Sequence, residues 1–439
     1  MAFNPTLSRR QLLAAFGITG AGLTLAACAG AGGATGGGAA DGDASKIVFW
    51  SNHPASSKDV ELELIARFEA ENPDLTVELV DAGANYGEVS QKFNAALTGT
   101  DLPDVVVLSD TEWFNFALNE ATANIDEIAD RTGIDVSGYV ESLYNDYAFG
   151  DGHNGLPYAR STVLFYYNKD VWAEAGLPDR GPETWEEFSE WGPKLQEVVG
   201  DGKKAHGWGD AVNYLSWTFH GPMRTMDGAY SDEWDSRLTS PETVAAVNWF
   251  KSTIDDGYAT VSADVTNEFS TGLIASCIQS TGDLSSVMET AGFNVGVAEL
   301  PNPKGQGGAV TGGAGLGIPA GISEERQDNA LKFIDFITNV ENTTYWSRET
   351  GYVPVREGAA EDAEHARFLK ENPEYRVAID QLPKTLPQDN FRVLLPGGDR
   401  TIGDALESIA LTGADVETTL ANAEQKLVTI YERDIEPLL

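Results

Sequence analysis

Cysteine is nearly absent from this 439-residue chain, which has only Cys28 and Cys277. A chain of this length cannot be a disulfide scaffold on that supply. Histidine is also scarce: His53, His153, His206, His220 and His365 are scattered, none stands in a recognisable protease context with Cys277, and no CxxC or HExxH spacing occurs. No metal site and no cofactor are expected from such a pattern. Positive charge is the third shortage, with 29 Lys+Arg against 68 Asp+Glu and a formal net charge of −39. So acidic a surface repels nucleic acid and anionic lipid, which excludes both as partners of the folded body. What the chain does have is apolar substance: 42% hydrophobic and 10% aromatic residues are enough for two or three lobes with sizeable cores.

The N-terminal stretch "LSRRQLLAAFGITGAGLTLAACAG" places Arg9 and Arg10 before an apolar run over residues 12–27. That run is shorter than the ~20 residues a bilayer-spanning helix needs, and a basic start, short apolar run and small-residue end fit an export signal instead. "SRRQLL" resembles a twin-arginine signal and "LAAC" a lipobox, whose cleavage leaves Cys28 as the lipidated N-terminus. A buried N-terminal helix is the alternative. Residues 1–27 are thus read as signal and residues 28–45, "CAGAGGATGGGAADGDAS", as a flexible tether. The protein is expected outside the cell, held at the outer face of the cytoplasmic membrane by lipid alone, and monomeric. Cys277, left without a partner, reads as a small buried apolar residue.

From Lys46, "KIVFWSNH" reads as a strand. Val60, Leu64, Ile65 and Phe68 then recur at helical spacing, Pro73 breaks the pattern, and "LTVELV" resumes at strand spacing. A second helix and the apolar strand "DVVVLS" repeat the unit, which predicts an open, mostly parallel α/β sheet. Another α/β region runs from "GLPYARSTVLFYYNKDVW" to "NVGVAELPNP", and "GGAVTGGAGLGIPAGISEERQDNALKFIDFIT" returns to a strand and a helix with Ala330, Phe333, Ile334 and Ile337 on one face. The remainder reads as helices separated by the loop "LPQDNFRVLLPGGDRT". Crossings between two α/β lobes explain why similar units recur so far apart.

"YYNKDVWAEAGL", "PETWEEFSEWGPKL", "NALKFIDFIT" and "TGYVPVR" resemble the extracellular solute-binding proteins of carbohydrate-type ABC importers. Within that family "ANYGEVSQKFNAAL", "STGDLSSV", "TGGAGLG", "TGYVPV" and "RTIGDALESIALTGADVETTLANAEQKL" resemble the glycerol-3-phosphate and glycerophosphodiester binding proteins, in sequence order. The resemblance implies a periplasmic-binding-protein fold of two α/β lobes, hinge strands and a ligand cleft, with an ABC permease as partner. Lobe 1 would comprise residues 46–156 and 309–351, and lobe 2 residues 157–308 and 352–439.

A phosphodiester needs a guanidinium fork and several N–H or O–H donors. The resemblance puts Arg400 in the first role; a surface pair with an acidic neighbour is the alternative. Ser280 and Thr281 precede a probable helix start, where they serve either the phosphate oxygens or an ordinary cap. Gly312 and Gly313 leave room for a ligand to approach backbone, and Tyr352 adds a phenol. Asp110 is placed to accept from vicinal hydroxyls or to cap the following helix, while Tyr86 and Ser161 match polar contact positions of the subfamily. Asn85-Tyr86-Gly87 lacks the carboxylate of the Asn-Tyr-Glu in monoester binders, which leaves room for a bulkier diester. Trp217, ahead of Trp208, offers an indole face to a choline head. A neutral mono- or oligosaccharide is the nearest competing ligand. An exported glycoside hydrolase is the competitor from another class, though no acid and nucleophile carboxylate pair is recognisable.

Overall fold

The computed structural model describes residues 42–53, 57–99, 101–305 and 307–439. Cys28, the export signal and most of the tether lie outside the described residues. Strand β1 (Lys46–Ser51) feeds helix α1 (Lys58–Glu71), which returns as β2 (Thr76–Asp81) parallel to β1. Helix α2 (Tyr86–Ala96) leads to β3 (Val105–Ser109), parallel to β1 on its other edge. The predicted strand, helix, strand order is what forms. One position differs: α1 buries Glu61, Leu64, Ile65 and Phe68, so Glu61 and not Val60 completes its inner face. The carboxyl is tolerated there because Ser51 Oγ donates to it at 2.7 Å and Tyr158 at 3.3 Å.

After α3 (Trp113–Leu118) comes β4 (Leu156–Asn168), thirteen residues buried along their whole length. The second α/β region supplies β5 (His206–Gly209), α4 (Leu215–Thr218), β6 (Ala259–Ser262), β7 (Ser276–Ser280), α5 (Leu284–Thr290) and β8 (Val295–Ala298). The chain returns through β9 (Thr311–Gly317) and α6 (Glu324–Ile337), then α7 (Val340–Thr350), and ends with α8 (Asn390–Val393), α9 (Gly398–Thr412) and α10 (Val416–Ile430). One nine-stranded sheet runs in the order β6-β5-β7-β4-β9-β3-β1-β2, with β8 also paired to β4.

Two strands join the halves of this sheet. Residues 156–162 of β4 pair antiparallel with β9, whereas residues 163–168 pair with β7 and β8. The expected lobe boundary at 156/157 thus falls at the start of β4, whose pairing partner changes between Thr162 and Val163. β9 pairs antiparallel with both β4 and β3, and its register with β4 shifts between Ala314 and Gly315. Gly313, just before that irregularity, has φ +96°, and a Cβ there would collide with the Ala159 carbonyl oxygen. Glycine is required at this point by the backbone itself.

Ala330, Phe333, Ile334 and Ile337 are buried together on α6, as their spacing predicts. Cys277 is buried and unpaired, and burial pushes its thiol well up. The stretch expected as one loop after residue 385 contains the single helical turn α8, whose Phe391 is buried, as is the following Leu395. Among the described residues no helix is long and apolar enough to cross a membrane.

Candidate functional site

Several chain segments that are remote in sequence meet beside β9. β3 ends at Ser109, and the next N–H, of Asp110, donates to the Gly313 carbonyl at 2.9 Å. The cap position of α3 is Glu112, and no side chain caps that helix. Asp110 is therefore not a helix cap. Its partners are instead Gln388 Nε2, which donates to it, and Arg392 Nη1 at 3.8 Å. Burial pushes this carboxyl up, against the opposing pull of Arg392 and Arg160. Arg160 itself is buried on β4, bound to Asp146 and donating to Tyr147 at 3.0 Å. A cavity of about 180 Å³ lies alongside, lined by Asp110, Trp113, Asp146, Gln388 and Leu394.

Arg392, not Arg400, joins Arg160 as a buried cation at this place. It is 2% exposed, and its guanidinium reaches Asp399 at 2.7 Å and Ser216 Oγ at 3.2 Å and donates to Gln388. The turn that carries it is anchored by buried Asp389, which accepts from Tyr230 N at 2.6 Å and lies 3.1 Å from His220 Nε2 and 3.2 Å from Arg224. Burial tends to raise the Asp389 carboxyl, but His220 and Arg224 beside it hold it below its ordinary value. Arg400 points outward from α9 with its side chain 55% exposed, paired to Asp404 at 2.7 Å. The inner face of α9 is filled by Thr401, Ile402, Gly403, Ala405 and Leu406, which leaves Arg400 no way in.

Tyr86 begins α2, whose first turn is capped by Asn85 accepting from Glu88 N at 3.0 Å. Its hydroxyl stands 3.4 Å from that of Tyr352, which follows the left-handed Gly351 at the end of α7. Burial raises both phenols, so both keep their protons. The Tyr352 ring lies against Gly282, bringing it beside the end of β7. There Ser280 Oγ accepts from Gly282 N at 3.0 Å, an ordinary capping bond, and Thr281 Oγ1 is buried without a partner among the described residues. Burial pushes the neighbouring Asp283 carboxyl up to about 6.

Gly312 pairs in register with buried Ser161, and the space its missing Cβ leaves is filled by the Trp217 indole. Trp217 is 4% exposed and donates through Nε1 to Thr311 O at 3.0 Å. The two glycines are thus needed for packing and backbone conformation. Trp208 does not belong to the site: it is fully buried on β5, donates to Thr253 Oγ1 at 3.2 Å and packs edge-on against Phe250 and Trp249. An interior strand position accounts for it.

Reading the sequence missed three residues here. Arg392 sits in "NFRVLL", a lone cation in an apolar run, which was the available signal. Gln388 offered none. Tyr214 is one of four non-glycine residues with positive φ among the described residues, at +65°, and lies edge-on to Trp217 with ring centroids 6.3 Å apart. Its phenol is pushed up to about 12 by desolvation, with Asp399, Asp283 and Asp110 adding to the shift. Such strained backbone collects at binding sites. Together these groups offer a buried guanidinium, several neutral hydroxyls and an acceptor carboxylate, suited to an anion that also carries hydroxyl groups.

The profile of the bacterial extracellular solute-binding protein family matches residues 63–377. The chain belongs to this family. The crystal structure of UgpB from Mycobacterium tuberculosis in complex with glycerophosphocholine is 53% identical, with a TM-score of 0.87 over 89% of this chain and 99% of that one. The sn-glycerol-3-phosphate-binding periplasmic protein UgpB of Escherichia coli is 27% identical over 354 residues, 76% of this chain and 80% of that protein. The GacH receptor of Streptomyces glaucescens, at 19% identity and a TM-score of 0.75 over 88% of this chain and 98% of that one, shares the fold. This solute-binding protein accordingly has the α/β periplasmic-binding-protein fold, with β4 and β9 as its crossing strands.

Proposed function

We propose that this solute-binding protein captures a glycerophosphodiester of the glycerophosphocholine type and delivers it unchanged to an ABC permease. The observation that carries this reading is Arg392, a buried guanidinium beside Asp110 and Asp399, and to the same cleft this reading assigns Tyr86, Tyr352, Ser280 and Ser161. The phosphate takes the guanidinium fork, assisted by the Ser280 and Tyr352 hydroxyls. The glycerol hydroxyls donate to Asp110, with Tyr86 and Ser161 alongside. Tyr214 and Trp217 close the far wall. Two lobes, residues 46–156 with 309–351 and residues 157–308 with 352–439, shut over the ligand by bending at the crossing strands. The 53% identity to a protein crystallised with glycerophosphocholine supports the ligand class. Cys28 carries lipid that keeps the monomeric body at the outer face of the cytoplasmic membrane.

Calorimetric titration of the purified protein with glycerophosphocholine, glycerol-3-phosphate and maltose tests this. Stoichiometric binding of the diester with intact ligand recovered is expected. Binding of maltose alone would put a neutral-sugar protein in its place, and multiple turnover of the diester an enzyme.

A further inference from the structure

His53 lies two residues beyond the end of β1 and is 3% exposed, yet none of the polar roles above uses it. Its N–H donates to Ser51 Oγ at 3.0 Å, and that hydroxyl donates to Glu61, so the backbone position of the ring is fixed from behind. Four aromatic rings surround the imidazole. Tyr158, Trp346 and Tyr352 form a pile with centroids 4.8 and 5.9 Å apart, and His53 stands nearly perpendicular to all three, at 83°, 89° and 89°. The same imidazole meets Tyr86 at 5.8 Å and 69°. Edge-to-face contact is the favoured geometry for such rings and resists tilting of either partner.

Tyr86 and Tyr352 come from different elements, the start of α2 and the end of α7, and have no covalent link closer than the intervening chain. Their hydroxyls meet at 3.4 Å, and the buried His53 ring contacts both phenol rings. We propose that His53 is a positioning residue for ligand binding, a wedge that sets the Tyr86 and Tyr352 hydroxyls at the spacing the ligand requires. This rests on the reading of those two phenols as ligand contacts.

The surroundings suit a wedge that never charges. Desolvation pushes the His53 imidazole down to about 4 and the Glu61 carboxyl behind it up to about 8, so both are neutral at physiological pH. His53 Nε2 has no partner among the described residues, and replacing it by carbon forfeits no hydrogen bond there. Shape and not basicity is what the wedge supplies. A phenylalanine should therefore serve where an alanine does not.

The test compares wild type, His53→Ala, His53→Phe, Tyr86→Phe and the double variant His53→Ala/Tyr86→Phe, with two readouts. The first is the side-chain NMR spectrum of Tyr86 and Tyr352 in ligand-free protein. These resonances should move in His53→Ala and return towards wild type in His53→Phe. The second is calorimetric affinity for glycerophosphocholine, which should fall about ten-fold in His53→Ala, the scale of one hydrogen bond, and stay within about three-fold in His53→Phe. In the double variant the loss should be smaller than the product of the single losses, because a hydroxyl already absent cannot be misplaced. Unmoved resonances, wild-type affinity in a folded His53→Ala protein, or losses that multiply freely would each overturn the proposal. If wild type ignores glycerophosphocholine, glycerol-3-phosphate and maltose alike, the ligand reading fails, and the positioning of the two rings is still decided by the NMR arm.

Discussion

Arg392 Nη2 lies 2.7 Å from Asp399 Oδ1, and Ser216 Oγ bonds to both. Two carboxylates, Asp399 and Asp110, thus hold the guanidinium on its edges while it is out of water. Arg392→Ala should reduce affinity for a phosphodiester by ~2–5 kcal/mol, roughly 30-fold to several thousand-fold, as for truncating one member of a buried charge pair. Lysine restores charge without the planar fork, so Arg392→Lys should recover only part of it. Arg400→Ala removes an exposed pair with Asp404 and should change affinity by less than about two-fold. Equal losses at the two positions in calorimetry would refute this assignment.

Trp217→Ala is expected to act on the fold. The indole fills the space above Gly312, and its Nε1 bonds to Thr311 O, so truncation opens a cavity and orphans a carbonyl. The expected cost is ~3–5 kcal/mol of stability in urea unfolding. Whatever binding survives should be weakened for glycerophosphocholine and glycerol-3-phosphate alike. A stable variant with a defect confined to the choline-bearing ligand would show instead that the indole touches the cation.

Gly313→Ala should fail for a different reason. At φ +96° any side chain is strained, and here it would also strike the Ala159 carbonyl, so a loss of about 1–3 kcal/mol or more is expected. Because the Gly313 carbonyl accepts from Asp110 N, ligand affinity should fall with stability. Retained stability and binding would mean that β9 relaxes without moving Asp110.

Stability should depend on pH through Glu61 and the buried imidazoles, with opposite signs. The Glu61 carboxyl is raised to about 8, so its contribution is fully present below pH 4.5 and is lost as pH rises towards 8. Glu61→Gln keeps the acceptor for Ser51 without the titration and should gain stability on wild type steadily from pH 5 to 8. Burial lowers His53 to about 4 and His206 to about 3; their contribution is present above pH 6.5 and lost as pH falls through those values. Urea unfolding at pH 5 and 8 decides the first part: parallel profiles for wild type and Glu61→Gln would mean that Glu61 does not carry the proton.

Cys28→Ala should release the protein from the cell envelope or leave it unprocessed. A processed variant that still fractionates with membranes would refute lipid attachment at Cys28.

Much of the architecture was legible because it depends on local pattern. The apolar run in "KIVFWS", the helical spacing of Leu64, Ile65 and Phe68, and "VVVLS", apolar up to its last residue, each reported that the element would be buried. Some candidate residues also meet in pairs: Asp110 N bonds to Gly313 O and Ser161 faces Gly312, since β3 and β4 flank β9, while Tyr352 lies against Gly282 beside Ser280. Glu61 was not legible. A carboxyl on an apolar helix face becomes tolerable only when a hydroxyl from β1 and another from β4 reach it.

The sequence by itself determined the fold class, the acidic character that excludes nucleic acid, and the order of strands and helices, because composition and periodicity act within one element at a time. Only the tertiary structure decided which arginine is buried beside Asp110. Arg392 and Arg400 are eight positions apart in one helical region rich in turn residues, and the apolar neighbours of Arg392 in "NFRVLL" mark it locally without saying where its guanidinium goes. The difference arises when α9 turns Ile402 and Leu406 inward and leaves Arg400 in solvent, while Asp389, held by His220 and Arg224, fixes the preceding turn so that Arg392 is buried between Asp110 and Asp399. A buried charge is stable only where its partners converge, and those partners come from segments almost three hundred residues apart.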